Sequence, residues 1–319
     1  MKRAMIRSTG SYLPEKILTN HDIAKMVDTS HEKIVQLTGI HERHIAADGQ
    51  LTSDLAIRAA RMALENGGLT PAGIDAIIVA TTTPDDTFPA TAVKVQAALG
   101  MEHGFAFDVQ AVCSGFIYAL SVANTMIVSG QCKRILVIGA EKMSSIIDWT
   151  DRGTCILFGD GAGAVIVEES SDPSQGILTT HLHSDGRHRD LLYTSGGVAS
   201  TKTAGTIQMQ GREVFKHAVE CLAQAVDEAL ASTGTKPEDI SLLVPHQANV
   251  RIIESTAKKL GMPMDKVVLT LAKHGNTSAA SIPLALHDAV AAGRVKRGDL
   301  LLLEGMGGGF TWGSVLVRW

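Results

Sequence analysis

The chain of 319 residues repeats itself. Residues 53 to 83 carry a helical pattern of apolar positions (Leu55, Ala59, Met62, Ala63), then Thr70-Pro71, then the strand-like run Ile74 to Ala80. Residues 215 to 247 do the same, with Val219, Leu222, Ala223, Val226 and Leu230, then Lys236-Pro237, then Ile240 to Val244. Pro71 and Pro237 lie 166 positions apart, as do Ile74 and Ile240. The match continues through Gln96 to Gly100 against Ala257 to Gly261, Gly130 to Arg134 against Gly293 to Arg297, and Ala162 to Val167 against Trp312 to Val317. Four such pairs in the same order mark a duplication.

In each half, near-continuous Ile/Leu/Val runs alternate with amphipathic helical stretches, the pattern of strands covered by helices on both faces. The fold class expected is therefore α/β, with two similar halves in tandem. The stretch Ser114 to Val128 is apolar nearly all round (Phe116, Ile117, Leu120, Val122, Met126), so it must be buried on every side. Its place is between the two sheets, beside the matching stretch Ala279 to Ala291.

Cys113 sits where the extended segment Phe105 to Ala111 runs into that buried helix, so unpaired N–H groups and the positive helix end face its sulfur and favour thiolate. His246, after the strand Leu242 to Val244, and Asn276, before the second buried helix, are placed by the repeat at the same junction. A Cys, a His and an amide together point to thioester chemistry in a cleft between the halves.

The bulk numbers exclude other classes. The 29 Lys and Arg against 33 Asp and Glu give a net charge of −4 with mixed signs, so neither nucleic acid nor a membrane surface is the expected partner. The N-terminus lacks a signal-peptide pattern and no apolar run approaches a span of ~18 residues, so a cytoplasmic location is expected. The four cysteines show no C-x-x-C pair or zinc spacing, so no metal is expected, and Cys132, Cys155 and Cys221 read as small buried hydrophobes. Gly159-Asp160-Gly161-Ala162-Gly163 reads as a structural turn, because it lacks phosphate-loop spacing and leads into a strand. His181, His183 and His188 read as surface or core polar residues, and Lys133-Arg134 and Lys296-Arg297 as solvated loop charges.

From Gly10-Ser11-Tyr12-Leu13-Pro14 to the C-terminus the chain resembles the thiolase superfamily, and within it the β-ketoacyl-[acyl carrier protein] synthase III family. The motifs are Val27-Asp28-Thr29-Ser30, Asp151-Arg152-Gly153-Thr154, Gly159 to Ala164, Val244-Pro245-His246-Gln247-Ala248-Asn249-Val250-Arg251, His274 to Ser281 and Gly307 to Gly313. The resemblance implies duplicated βαβαβαββ halves, 1–172 with the nucleophile and 173–319 with His and Asn, in α-β-α-β-α layers. It implies decarboxylative condensation of a short acyl-coenzyme A, acetyl-CoA foremost, with malonyl-[acyl carrier protein] to start fatty acid synthesis, with no cofactor beyond the coenzyme A thioester substrate.

By the same resemblance, Cys113 carries the acyl group, and His246 and Asn276 hold the enolate. The N–H groups of Cys113 and Gly308 form the oxyanion hole. Thr29, Arg152, Gly153, Gly211, Phe215, Ala248 and Asn249 fall along the coenzyme A tunnel, and Met306 lies near the acyl pocket. Phe88 closes the pocket across a homodimer interface. Lys216, Arg251, Lys258 and Lys259 form a basic patch for an acidic carrier protein. The chain departs from many relatives at Lys33, where an aromatic ring stacks on adenine, and at Leu37, so weak coenzyme A affinity is expected. Two other readings use the same residues: a condensing enzyme of a specialised pathway with another donor, and a Cys-His-Asn thioester hydrolase. A third, a non-catalytic carrier-binding protein, follows from the altered adenine site.

Overall fold

The structure, a computed structural model, describes residues 2–170 and 172–319. The first half runs β1 (Arg3–Tyr12), β2 (Lys16–Thr19), α1 (Asn20–Ile23), α2 (His31–Thr38), β3 (Glu42–Ile45), α3 (Thr52–Gly67), β4 (Ala76–Ala80), α4 (Thr91–Leu99), β5 (Phe105–Val109), α5 (Gly115–Val128), β6 (Arg134–Lys142) and β7 (Asp160–Ser170). The second runs β8 (Gly176–Ser184), β9 (Leu192–Thr194), β10 (Ile207–Met209), α6 (Gly211–Thr233), β11 (Leu242–Pro245), α7 (Val250–Lys259), α8 (Leu271–His274), α9 (Ser281–Ala291), β12 (Leu300–Gly307) and β13 (Thr311–Arg318).

The duplication is visible in the sheets. The first has the order β1-β7-β6-β4-β5, the second β11-β12-β13-β8, and the latter gains an isolated bridge from Leu243 to Val267 where the first has β5. α5 and α9 begin 166 residues apart, as do β6 and β12. Their apolar faces fill the space between the sheets with Phe116, Ile117, Leu120, Ile282 and Leu286, all fully buried. Burying each such side chain contributes roughly 1.5 to 3 kcal/mol, which is why helices apolar on all sides belong in this middle layer. α3 and α4 cover the outer face of the first sheet and α6 and α7 that of the second, completing five layers.

Several boundaries differ from the sequence reading. Pro71–Gly73 forms a 3₁₀ turn and the strand opens at Ala76, since Pro71 pre-sets the turn and Ile74 N–H closes it on Pro71 O. The segment Gly159 to Ala164 is not a turn: it becomes strand β7 from Asp160. Its glycines serve close approach, because a Cβ on Gly163 would come 2.6 Å from the backbone of Pro283 and Leu284 in α9. The basic pairs before β6 and β12 are not simply solvated. Arg134 pairs with Glu168 at 2.9 Å, and Arg297 lies over the Trp319 ring while bonding the carbonyls of Ile6 and Arg7. No described helix is long and apolar enough to cross a membrane.

Candidate active site

Cys113 occupies the middle of a 3₁₀ turn, Val112–Ser114, that joins β5 to α5, so the helix proper starts at Gly115 rather than Ser114. Val112 has φ +48°, left-handed backbone that costs a branched residue about 1 to 2 kcal/mol. Its counterpart 166 positions on is Ser278, at φ +49°, opening the 3₁₀ turn before α9. Both halves thus carry one kink at one place, and the two turns abut at the seam.

Burial pushes the Cys113 thiol up to about 12, a rise to which the Glu141 carboxylate adds and which a hydrogen bond with the Ser278 hydroxyl opposes. The sequence reading placed a thiolate here. In the closed seam, the turn's N–H groups do not offset the loss of water, and the resting sulfur is S–H.

His246 follows β11, its N–H bonded to Glu304 O at 2.8 Å. Burial pushes its imidazole down to about 3, so the ring is neutral. Nδ1 stands 2.6 Å from Ser281 Oγ, which also accepts the Gln247 N–H at 3.3 Å. Among the described residues Oγ has no acceptor other than Nδ1, so its proton is assigned to Nδ1 and the ring N–H to Nε2.

Asn276 is pinned through its backbone, with N–H to Leu157 O at 2.9 Å and C=O receiving Gly159 N–H at 3.0 Å. Its Oδ1 accepts the Ser278 N–H at 2.9 Å, which leaves the NH₂ end as the donor toward open space. Cys113, His246 and Asn276 all line one cavity of 620 Å³. A larger surface groove of 710 Å³, beside Tyr12 and Arg58, contains none of these groups.

Other residues named from sequence divide into two sets. Gly153, Gly211, Phe215, Ala248, Asn249, Arg251 and Met306 line the cavity, and so does Leu37 at its mouth. Asn249 caps α7 through Oδ1 and donates Nδ2 to Leu37 O at 2.9 Å, while Arg251 bonds Gln36 O, so both also tie α7 to α2. Arg152 sits outside the lining, bonded to Asp28 O at 3.1 Å one residue from Thr29, and Lys33 is exposed on α2. Phe88 is 83% exposed and does not reach its own chain's cavity. Lys216, Lys258 and Lys259 are surface residues, Lys259 lying 3.7 Å from Asp227.

At the glycine run, Gly307 lines the cavity and packs on Cys113, where an added Cβ would lie 2.5 Å from Cys113 N. Gly308, the residue named from sequence, faces Leu192 O. Sequence reasoning missed Ser281, Arg212, and the walls Leu192 and Met209. Ser281 stands inside the motif already noted, 35 positions from His246, where only packing reveals its partner. Leu192 and Met209 belong to β9 and β10, the ribbon that answers β2 and β3 of the first half, but none of the sequence matches between the halves reaches this segment.

A buried thiol, a neutral imidazole with its outer N–H exposed to the cavity and a carboxamide donor form a site for acyl transfer with oxyanion stabilisation. Two family models match, the 3-oxoacyl-[acyl-carrier-protein (ACP)] synthase III model over residues 107–186 and its C-terminal model over residues 230–319. A β-ketoacyl-[acyl-carrier-protein] synthase III of Paramagnetospirillum magneticum is 62% identical, with 99% of both chains covered, and one of Agrobacterium fabrum is 57% identical over all of both. The crystal structure of 3-oxoacyl-[acyl-carrier-protein] synthase III from Aquifex aeolicus superposes with a TM-score of 0.95 at 51% identity, covering 99% of this chain and 100% of that one. The chain belongs to the 3-oxoacyl-[acyl-carrier-protein] synthase III family of thiolase-like condensing enzymes.

Proposed function

We propose that the initiating condensation of this family, between an acyl-coenzyme A and a malonyl-[acyl carrier protein], runs here through an acyl-enzyme on Cys113. The observation that carries this reading is the convergence of Cys113, His246 and Asn276 on one cavity. Cys113 sulfur attacks the acyl thioester and the coenzyme A thiolate leaves, a near-isoenergetic exchange of one thioester for another. The malonyl thioester then loses CO₂, and its enolate oxygen is held by the His246 Nε2–H and the Asn276 NH₂. The enolate carbon attacks the acyl carbonyl, and collapse of the tetrahedral intermediate expels the Cys113 thiolate. The N–H groups of Cys113 and Gly308 are assigned to the intermediate's oxyanion, Gly307 packing being what holds the two strands of backbone together.

Arg212 and Arg251 at the mouth, with Lys216 one turn along α6 and Lys258 and Lys259 along α7, supply positive charge for an acidic carrier protein. A homodimer fits the exposure of Phe88 and the position of β5 at the sheet edge, with Phe88 closing the partner's pocket and favouring a short primer such as acetyl. A cytoplasmic location is part of this proposal.

Incubation with acetyl-CoA alone tests it. A stable acetyl mass increase on Cys113, discharged by malonyl carrier protein as acetoacetyl carrier protein, is expected. An adduct that water clears, or none at all, overturns the reading.

A further inference from the structure

Glu141, the last residue but one of β6, is fully buried, and both of its oxygens accept hydrogen bonds. Oε2 takes Thr82 N–H at 3.0 Å, Thr83 N–H at 3.2 Å, and the hydroxyls of Thr81 and Thr83 at 3.3 and 2.7 Å. These threonines follow β4, so one oxygen anchors the side chain in the first half. Oε1 takes the Ser278 hydroxyl at 2.9 Å and Ala279 N–H at 3.5 Å, in the 3₁₀ turn before α9. One side chain therefore ties the second half's turn to the first half's sheet.

The internal repeat shows how unusual this tie is. Glu141 stands 166 positions before Gly307, as Val112 and Cys113 stand 166 before Ser278 and Ala279. In one corner bare backbone at Gly307 packs directly on Cys113 N. At the matching point of the other, a carboxylate reaches across to the turn.

The consequence falls on Asn276. Among the described residues, the one hydrogen bond of its side chain is the Ser278 N–H to Oδ1 at 2.9 Å. That N–H belongs to a residue at φ +49°, left-handed backbone that a non-glycine residue keeps only where its surroundings hold it. The hydroxyl bond to Glu141 is such a hold. The two ends of a carboxamide are alike in size and opposite in polarity, so the placing of the Ser278 N–H decides which end the cavity meets.

We infer that Glu141 is a positioning residue for decarboxylation: through Ser278 it holds the Asn276 amide with its NH₂ end toward the enolate oxygen. This rests on the enolate-binding role proposed above for Asn276 and adds the group that sets its polarity. Glu141 itself does not line the cavity and meets no substrate. When the hold is lost, Ser278 relaxes, its N–H leaves Oδ1, and the amide presents either end.

The test uses the full chain and reads two steps separately: acetyl adduct mass on Cys113 with acetyl-CoA, and steady-state CO₂ release from malonyl carrier protein. Ser278→Ala and Glu141→Ala are each expected to lower kcat for CO₂ release by at least about 10-fold, toward the ~10² of a lost oxyanion donor. KM and the rate of acetylation should change little. The double variant is expected to be no slower than the slower single one, because both changes cut one link. Glu141→Gln, whose amide still bonds the threonine N–H groups through its oxygen and the Ser278 oxygen through its NH₂, is expected to keep most of the rate. Unchanged CO₂ release in Ser278→Ala, additive losses in the double variant, equal loss of acetylation, or a Glu141→Gln as slow as Glu141→Ala each overturn the inference. If Glu141→Ala fails to fold, Ser278→Ala and Glu141→Gln decide. Wild type that forms no acetyl adduct removes the acyl-enzyme reading itself, a result separate from all of these.

Discussion

Ser281 Oγ stands 2.6 Å from His246 Nδ1, so a residue on α9 determines which imidazole nitrogen faces the cavity. Removing it with Ser281→Ala frees Nδ1 to carry the proton and turns Nε2 into an acceptor, the wrong polarity for an enolate oxygen. Decarboxylation of malonyl carrier protein is expected to fall by at least about 10-fold, toward the ~10² typical of a lost oxyanion donor. KM should change little, and steady-state CO₂ release measures both.

Asn276 has its oxygen committed to the Ser278 N–H. Asn276→Asp preserves that bond and the size of the side chain but replaces the donor end with a second acceptor. Loss of roughly 10²- to 10³-fold in decarboxylation is expected, with acetylation of Cys113 surviving. Equal loss of both steps would show that Asn276 acts on the nucleophile instead.

A Cβ at position 307 meets Cys113 N at 2.5 Å and Cys113 Cα at 3.3 Å. Backbone on both sides cannot swing away like a side chain, so Gly307→Ala is expected to destabilise the fold by about 1 to 3 kcal/mol and to abolish acylation. Urea unfolding and intact mass report the two effects.

Glu304 is fully buried on β12 between Pro245 and Ser314, and burial pushes its carboxyl up to about 8 from 4.5. Between these values the folded chain keeps a proton that the unfolded chain has lost. Stability contributed by this group is present below pH 4.5 and is lost as pH rises to 8, at up to ~1.4 kcal/mol per unit. Glu304→Gln removes that slope, so its stability relative to wild type should increase from pH 5 to pH 8. Denaturant midpoints at the two values check the sign.

Lys33 is exposed on α2, whose Leu37 and Thr38 line the cavity mouth. Lys33→Trp offers a stacking face worth roughly 1 to 3 kcal/mol. A fall in KM for acetyl-CoA of about 10-fold is expected, with kcat little changed. An unchanged KM would mean that adenine binds away from α2.

The layered architecture was legible because duplication and all-apolar helices are properties of the chain's pattern, and the seam followed from where Cys113, His246 and Asn276 fall within that pattern. Charge state was not legible. The position of Cys113 before a helix argues for thiolate, and only the packing of the seam shows that dehydration outweighs it. Ser281 was invisible for a related reason: a hydroxyl 35 residues away gains meaning only from the atoms it meets. The walls from Leu192 and Met209 lie in β9 and β10, outside the matched stretches of sequence, where periodicity says little.

The paired kinks at Val112 and Ser278 make the molecule geometrically twofold and chemically lopsided. Where one corner presents Cys113, the equivalent position of the other is Ala279, and where that corner presents the Ser278 hydroxyl, the first has Val112. Duplication therefore released each copy from doing everything: one corner holds the thiol, its twin the hydroxyl. Transplanting either corner alone into a new scaffold would carry half a machine, so redesign of this centre has to treat both corners as a single inheritable module.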